Sequence, residues 1–139
     1  MMRFLLDTNT LSEPLKTKPN GNVLLRLKQY RNEFAFATVT WHELWFGCHL
    51  LPLSQKRTII EAYLSELLND AIPILPYDLQ AASWHASERS QLVALGQTPP
   101  FADGQIAAVA AVNGLILVTR NVADYTRYRG LIIENWFDP

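Results

Sequence analysis

The chain has 139 residues, 49% hydrophobic and 18% charged, with 12 basic and 13 acidic side chains and a formal net charge of −1. These values describe one globular domain, residues 1–139, with a sizeable core, and exclude a disordered chain or an overtly basic nucleic-acid binder. A single cysteine, Cys48, rules out an internal disulfide, and no apolar run reaches membrane-spanning length.

The apolar run Phe4–Leu6 reads as a buried strand ending on Asp7, and Thr8, Asn9 and Thr10 open a helix behind it. The block before Asp7 is too short for a signal peptide, so a cytoplasmic protein is expected. "NGNVLLRLKQYR" carries helical spacing at Val23, Leu24, Leu27 and Tyr30. A second strand is expected over Phe34–Val39, followed by a helix in "TWHELWFGCHL" that Glu43 opens. Ile59, Ile60, Tyr63, Leu64, Leu67 and Leu68 form a helical stripe. "AIPILPY" reads as a short strand, and Asp78 caps a helix that runs through Leu95 and stops at Gly96. "PPFADGQIAAVAAVNG" is a helix with proline at its start and Gly114 at its exit. Leu115–Thr119 is a strongly buried strand, and "GLIIENW" offers a last one. Strands alternating with helices imply an α/β fold with a mainly parallel central sheet covered by helices on both faces.

In such a sheet, ligands bind beyond the carboxyl ends of the strands. Asp7, Glu43, Asp103 and Asp124 all follow strand ends or occupy helix starts, so the architecture can gather them at one edge. Singly, each acid has an ordinary reading as a cap, a dipole partner or a solvated residue. Gathered together they repel, and four carboxylates share a site only with a cation or shared protons. Oxygen ligands without Cys or His suit Mg²⁺ or Mn²⁺. Committing four of the 13 acids to cations leaves nine facing 12 basic groups, a balance of +3.

Four segments carry a resemblance. "LLDTNTLSE", "TVTWHELWFG", "FADGQIAAVAAVNG" and "LVTRNVADY" followed by "GLIIENW", in that order over nearly the full length, resemble the PIN domain, and within it the VapC-type ribonuclease toxins of type II toxin–antitoxin pairs. The resemblance implies that Asp7, Glu43, Asp103 and Asp124 form the family's acidic quartet around Mg²⁺ or Mn²⁺. It also implies that Asn9 and Thr119 line the same pocket, while Arg120 is a candidate for positioning phosphates. It further implies metal-dependent RNA hydrolysis, a homodimer and a small DNA-binding antitoxin that occludes the site. A PIN-like module that binds RNA or protein without cutting is the alternative. "FADGQIA" departs from many members, which carry larger residues in place of Gly104 and Gln105.

Rival chemistries lack their residues. A haloacid-dehalogenase-type phosphotransferase needs a second aspartate where Asn9 stands and a late lysine, whereas the last lysine is Lys56. A metalloprotease zinc site in "HELWFGCH" would need histidine at Phe46, and no glycine pair brackets a phosphate loop.

Overall fold

In the computed structural model, which describes residues 1–139, the short apolar runs form five strands. These are β1 (Phe4–Leu6), β2 (Phe34–Ala37), β3 (Ile74–Leu75), β4 (Ile116–Val118) and β5 (Ile133–Glu134). They make one sheet in the order β3-β2-β1-β4-β5, and every pairing is parallel. Phe4, Leu5 and Leu6 pair with Phe34, Ala35 and Phe36 on one side and with Ile116, Leu117 and Val118 on the other. A strand enclosed on both edges and both faces has no use for polar residues, so all three β1 side chains are fully buried.

Seven helices connect and cover the strands: α1 (Thr8–Ser12), α2 (Gly21–Gln29), α3 (Thr38–Leu50), α4 (Gln55–Asn69), α5 (Leu79–Ala94), α6 (Phe101–Val112) and α7 (Val122–Tyr125). The two-residue period of the strands divides the interior into two cores. Leu5, Ala35, Ala37 and Leu117 join α5 and α6 residues such as Leu92, Ile106 and Val109. Phe4, Leu6, Phe34, Phe36 and Val118 join Leu11, Val23, Leu64 and Leu67, with Trp136 from the C-terminal segment. Helices on both faces of a parallel sheet are therefore present, as expected. No helix is long and apolar enough to cross a membrane.

Some boundaries differ from the sequence-based expectation. The second strand stops at Ala37, and Val39 lies inside α3, packed against the α5–α6 core. Its strand partner β3 offers only two residues, Ile74 and Leu75, so the ladder ends there and the β-branched residue is absorbed by the helix. Glu43 consequently sits in the second turn of α3, not at its opening. The α4 stripe is wider than the surface it buries: Leu64 and Leu67 are inside, whereas Ile59 and Leu68 are more than half exposed. Asp78 does cap α5, accepting the Ala81 N–H at 2.9 Å, and Gly96 takes the positive φ of 78° that ends the connection. Glu13, a buried acid beside the opening motif, is engaged away from the other acids: it pairs with Lys16 at 2.8 Å and accepts the Asn20 N–H at 2.9 Å.

Candidate active site

The chain runs from β1 outward through β2 to β3, then returns to the opposite side of β1 for β4 and β5. The connections leaving β1 and β4 therefore diverge, opening a crevice beyond their carboxyl ends. Asp7 follows β1 directly and is buried. Its N–H donates to the Val118 carbonyl at 3.0 Å, tying it to the end of β4. Its Oδ1 accepts the Thr10 N–H at 2.8 Å and caps α1, leaving the second carboxylate oxygen available to a ligand. Cap and ligand are thus compatible roles for the two oxygens of one side chain.

Beyond Asp7 lies a polar cavity of about 110 Å³, lined also by Thr8, Asn9, Glu43, Asp103, Ile106, Asn121 and Tyr125. Glu43 reaches it from α3, and its Oε1 accepts the Thr8 hydroxyl at 2.6 Å; Thr8 in turn lies 3.3 Å from the Thr40 hydroxyl. Asp103 reaches it from the first turn of α6. Burial pushes its carboxyl above the ordinary range, donation from the Tyr125 hydroxyl opposes that, and the charges of Glu43, Asp124 and Asp7 raise it further. The Tyr125 phenol is itself pushed far up by burial and by the Asp103 and Asp7 carboxylates, so it stays protonated and serves as a donor.

Three of the four expected acids therefore share one cavity. Asp124 is exposed and outside its lining, yet close enough for its charge to act on Asp103; the one-turn helix α7 carries it. Asn9 lines the cavity as expected. Thr119 does not line it: buried just after β4, its hydroxyl accepts the Asn121 N–H at 3.1 Å. Arg120 is also outside the lining, its guanidinium 4.9 Å over the Phe137 ring. Thr8, Tyr125 and Asn121 were not singled out from the sequence. Each is an ordinary polar residue whose role depends on a partner elsewhere in the chain. For Thr8, Glu43 lies 35 positions away.

The donor set fits a hard divalent cation. It is all oxygen, it concentrates negative charge, and desolvation of Asp103 makes that charge costly without a counter-ion. No three acidic, imidazole or thiol groups stand close enough together to hold an ion jointly. Mg²⁺, which keeps several waters, needs only one or two carboxylates. A larger apolar cavity of about 540 Å³, lined by Leu24, Leu27, Tyr63 and Leu67 among others, shares no residue with the acidic one. Its walls hold no comparable group of carboxylates, so the chemistry is assigned to the smaller cavity.

The geometry gives Asp124 a distinct expected phenotype. Were an ion bound in the cavity, Asp124 would reach it through water from outside the lining, and loss of such an outer contact costs roughly 10–100-fold. On the metal-dependent RNA hydrolysis that the sequence resemblance implies, Asp124→Asn is expected to weaken cleavage within that range, with part of the loss recovered by higher Mg²⁺ or by Mn²⁺. Rate against metal concentration checks it: wild-type kinetics would reduce Asp124 to a first-turn acid facing the α7 dipole, and a deep loss without metal rescue would make it a direct ligand.

The chain as a whole is similar to known proteins. The PIN domain family model matches residues 4–130. Over 137 residues the chain is 31% identical to the tRNA(fMet)-specific endonuclease VapC of Salmonella typhimurium, covering 98% of this chain and 99% of that protein. It is 33% identical over 139 residues to the VapC ribonuclease Y4jK of Sinorhizobium fredii, covering 98% and 99%. Among solved structures, FitAcB from Neisseria gonorrhoeae superposes with a TM-score of 0.88 at 31% identity, covering 98% of this chain and 99% of that one. DNA-bound VapBC from Salmonella typhimurium gives 0.85 at 29% identity, covering 98% and 99%.

Proposed function

This chain belongs to the PIN-domain family, and on that premise we propose that it is a Mg²⁺-dependent endoribonuclease, Mn²⁺ being the alternative ion, and the toxin of a toxin–antitoxin pair. The observation that carries this reading is the convergence of Asp7, Glu43 and Asp103 on one small polar cavity at the switch point between β1 and β4. Relatives whose names describe VapC ribonucleases support RNA as the substrate class. The likeness to DNA-bound VapBC, and to a member of the VapBC family of toxin–antitoxin systems, supports a small DNA-binding antitoxin as partner. The same reading brings a homodimer and a cytoplasmic location.

Asp7 and Asp103 would hold the principal ion, with Glu43 completing the pocket directly or through water and Asp124 through water. A bound divalent ion supplies Lewis acidity, which activates water and offsets charge at the scissile phosphate. The chain's own residues set the geometry. Thr8 fixes the Glu43 carboxylate through the 2.6 Å bond, and Tyr125 holds Asp103 as a permanent donor. Thr119 orients the backbone of Asn121, whose side chain and that of Asn9 offer amide groups to RNA at the cavity. Arg120, exposed next to Asn121, brings a positive charge to flanking phosphates. No side-chain nucleophile is required.

The test is cleavage of single-stranded or looped RNA by the purified, partner-free chain after metal removal. Activity is expected only with Mg²⁺ or Mn²⁺ added, lost in EDTA and restored by excess ion. Undiminished cleavage by demonstrably metal-free protein would overturn the reading, and RNA binding without cleavage under either ion would favour a non-catalytic module.

A further inference from the structure

Gly104 stands directly after Asp103, inside α6, and is buried. Glycine in a helix interior is less favourable than alanine. Its use here is explained by the contact it permits. A β-carbon built on Gly104 would overlap His85 Nε2 and lie 2.8 Å from Cδ2 and 3.0 Å from Cε1 of the same ring. His85 comes from α5 and is only 2% exposed. Its Nδ1 is hydrogen-bonded to the Tyr77 hydroxyl at 2.8 Å, and its ring meets Phe101 with centroids 4.8 Å apart. Phe101 is covered in turn by the Arg89 guanidinium at 5.2 Å.

Phe101 and Gly104 are three positions apart, hence neighbours on the helix surface, and the ring contacts both. This contact fixes how deeply the first turn of α6 sits against α5. Asp103 lies in that turn and presents its carboxylate to the acidic cavity. The ring cannot swing aside cheaply, because doing so breaks the half-buried Tyr77 bond and gives up the contact with Phe101. We infer that His85, seated on Gly104 and anchored by Tyr77, is the positioning residue for Asp103. It sets where that carboxylate stands relative to Asp7 and Glu43 without touching ion or substrate. The inference rests on the reading of the cavity as a metal site. Metal coordination tolerates errors of only about 0.2 Å in ligand distance, so a small shift of this turn is felt there first.

The test is a double-mutant cycle on Gly104→Ala and His85→Ala, read as the dissociation constant for Mn²⁺ alone by calorimetry, with circular dichroism as the check on folding. Adding a methyl at position 104 raises intrinsic helix propensity, so a purely local view predicts no harm. The expected result is an Mn²⁺ constant raised about tenfold by Gly104→Ala in the wild-type background and changed less than about twofold by the same substitution in the His85→Ala background. Equal factors in both backgrounds, or no change in either, would overturn the inference. If Gly104→Ala alone fails to fold, recovery of fold and Mn²⁺ binding in the double variant supports it. A double variant that still fails to fold, or folds and binds more than about tenfold weaker than His85→Ala, refutes it, since the proposed obstruction has been removed. Failure of the wild-type chain to bind Mn²⁺ would remove the metal reading and this inference together, whereas wild-type binding with equal factors removes only the inference.

Discussion

Asp103→Asn is expected to suppress RNA cleavage by on the order of 10²–10³-fold, the size of removing one preorganised electrostatic group, while raising the melting temperature of the metal-free chain. The two effects have one cause. Asp103 is held by burial and by the charges of Glu43, Asp124 and Asp7 with its carboxyl above the ordinary range, and Tyr125 only partly offsets this. A carboxyl whose pKa is raised on folding binds its proton more tightly in the folded state. Stability from that source is fully present below the unfolded pKa and is lost as pH rises through the folded pKa, so the ionised group is a net cost to the fold. Asparagine keeps the shape and an oxygen to accept from Tyr125, but carries no charge. Without metal the cost disappears and stability rises; with metal the anionic donor is missing and cleavage falls. Calorimetric melting in EDTA at neutral pH, beside cleavage in Mg²⁺, checks both. A metal-free variant less stable than wild type would contradict the electrostatic account, and near-wild-type cleavage would remove Asp103 from the ligand set.

The second large effect concerns the fold and leaves the site alone. Trp136→Ala is expected to cost about 3–5 kcal/mol, the usual range for truncating a buried large aromatic residue. Trp136 is fully buried just beyond β5, with its ring 5.1 Å from Phe4 of β1 and 5.5 Å from Tyr30 at the end of α2. Its Nε1 donates to Glu134 Oε1 at 2.9 Å, so truncation opens a cavity and releases that carboxylate. For a domain that typically has about 5–15 kcal/mol in total, this is a large share. The melting temperature should fall on the order of 10–20 °C. None of these residues lines the acidic cavity, so cleavage measured well below the lowered midpoint should match wild type. A loss under about 1 kcal/mol in denaturant titration would show that the trio of rings is not a keystone of this core.

Much of the site is legible in the residues alone because its signals are short-range. A three-residue apolar strand ending on an aspartate that also caps the next helix identifies Asp7, since strand burial, turn chemistry and capping all act within a few positions. The alternation of strands and helices determines a parallel sheet for the same local reasons, and the order of the motifs carries the family resemblance. Asp103 is recognisable as an acid opening a small-residue helix. These readings stand in the folded molecule: Asp7, Glu43 and Asp103 meet at one cavity.

What the tertiary structure decided are relations between positions far apart in the chain. Sequence periodicity placed Val39 in a strand and Glu43 at a helix start; the short partner strand Ile74–Leu75 ends the ladder sooner and moves Glu43 to the second turn of α3. Arg120 and Thr119 stand next to Asn121, but Arg120 lies over Phe137 and Thr119 is used on the backbone of Asn121. Thr8 finds Glu43, Tyr125 finds Asp103, and His85 finds Gly104 only after the sheet brings their helices together. The departure at Gly104 illustrates the division. In the sequence it is an unexplained small residue, and in the fold it is the space that the His85 ring requires. Local propensity acts over a few residues and determines which elements form, whereas packing acts across the chain and determines which side chains face one another.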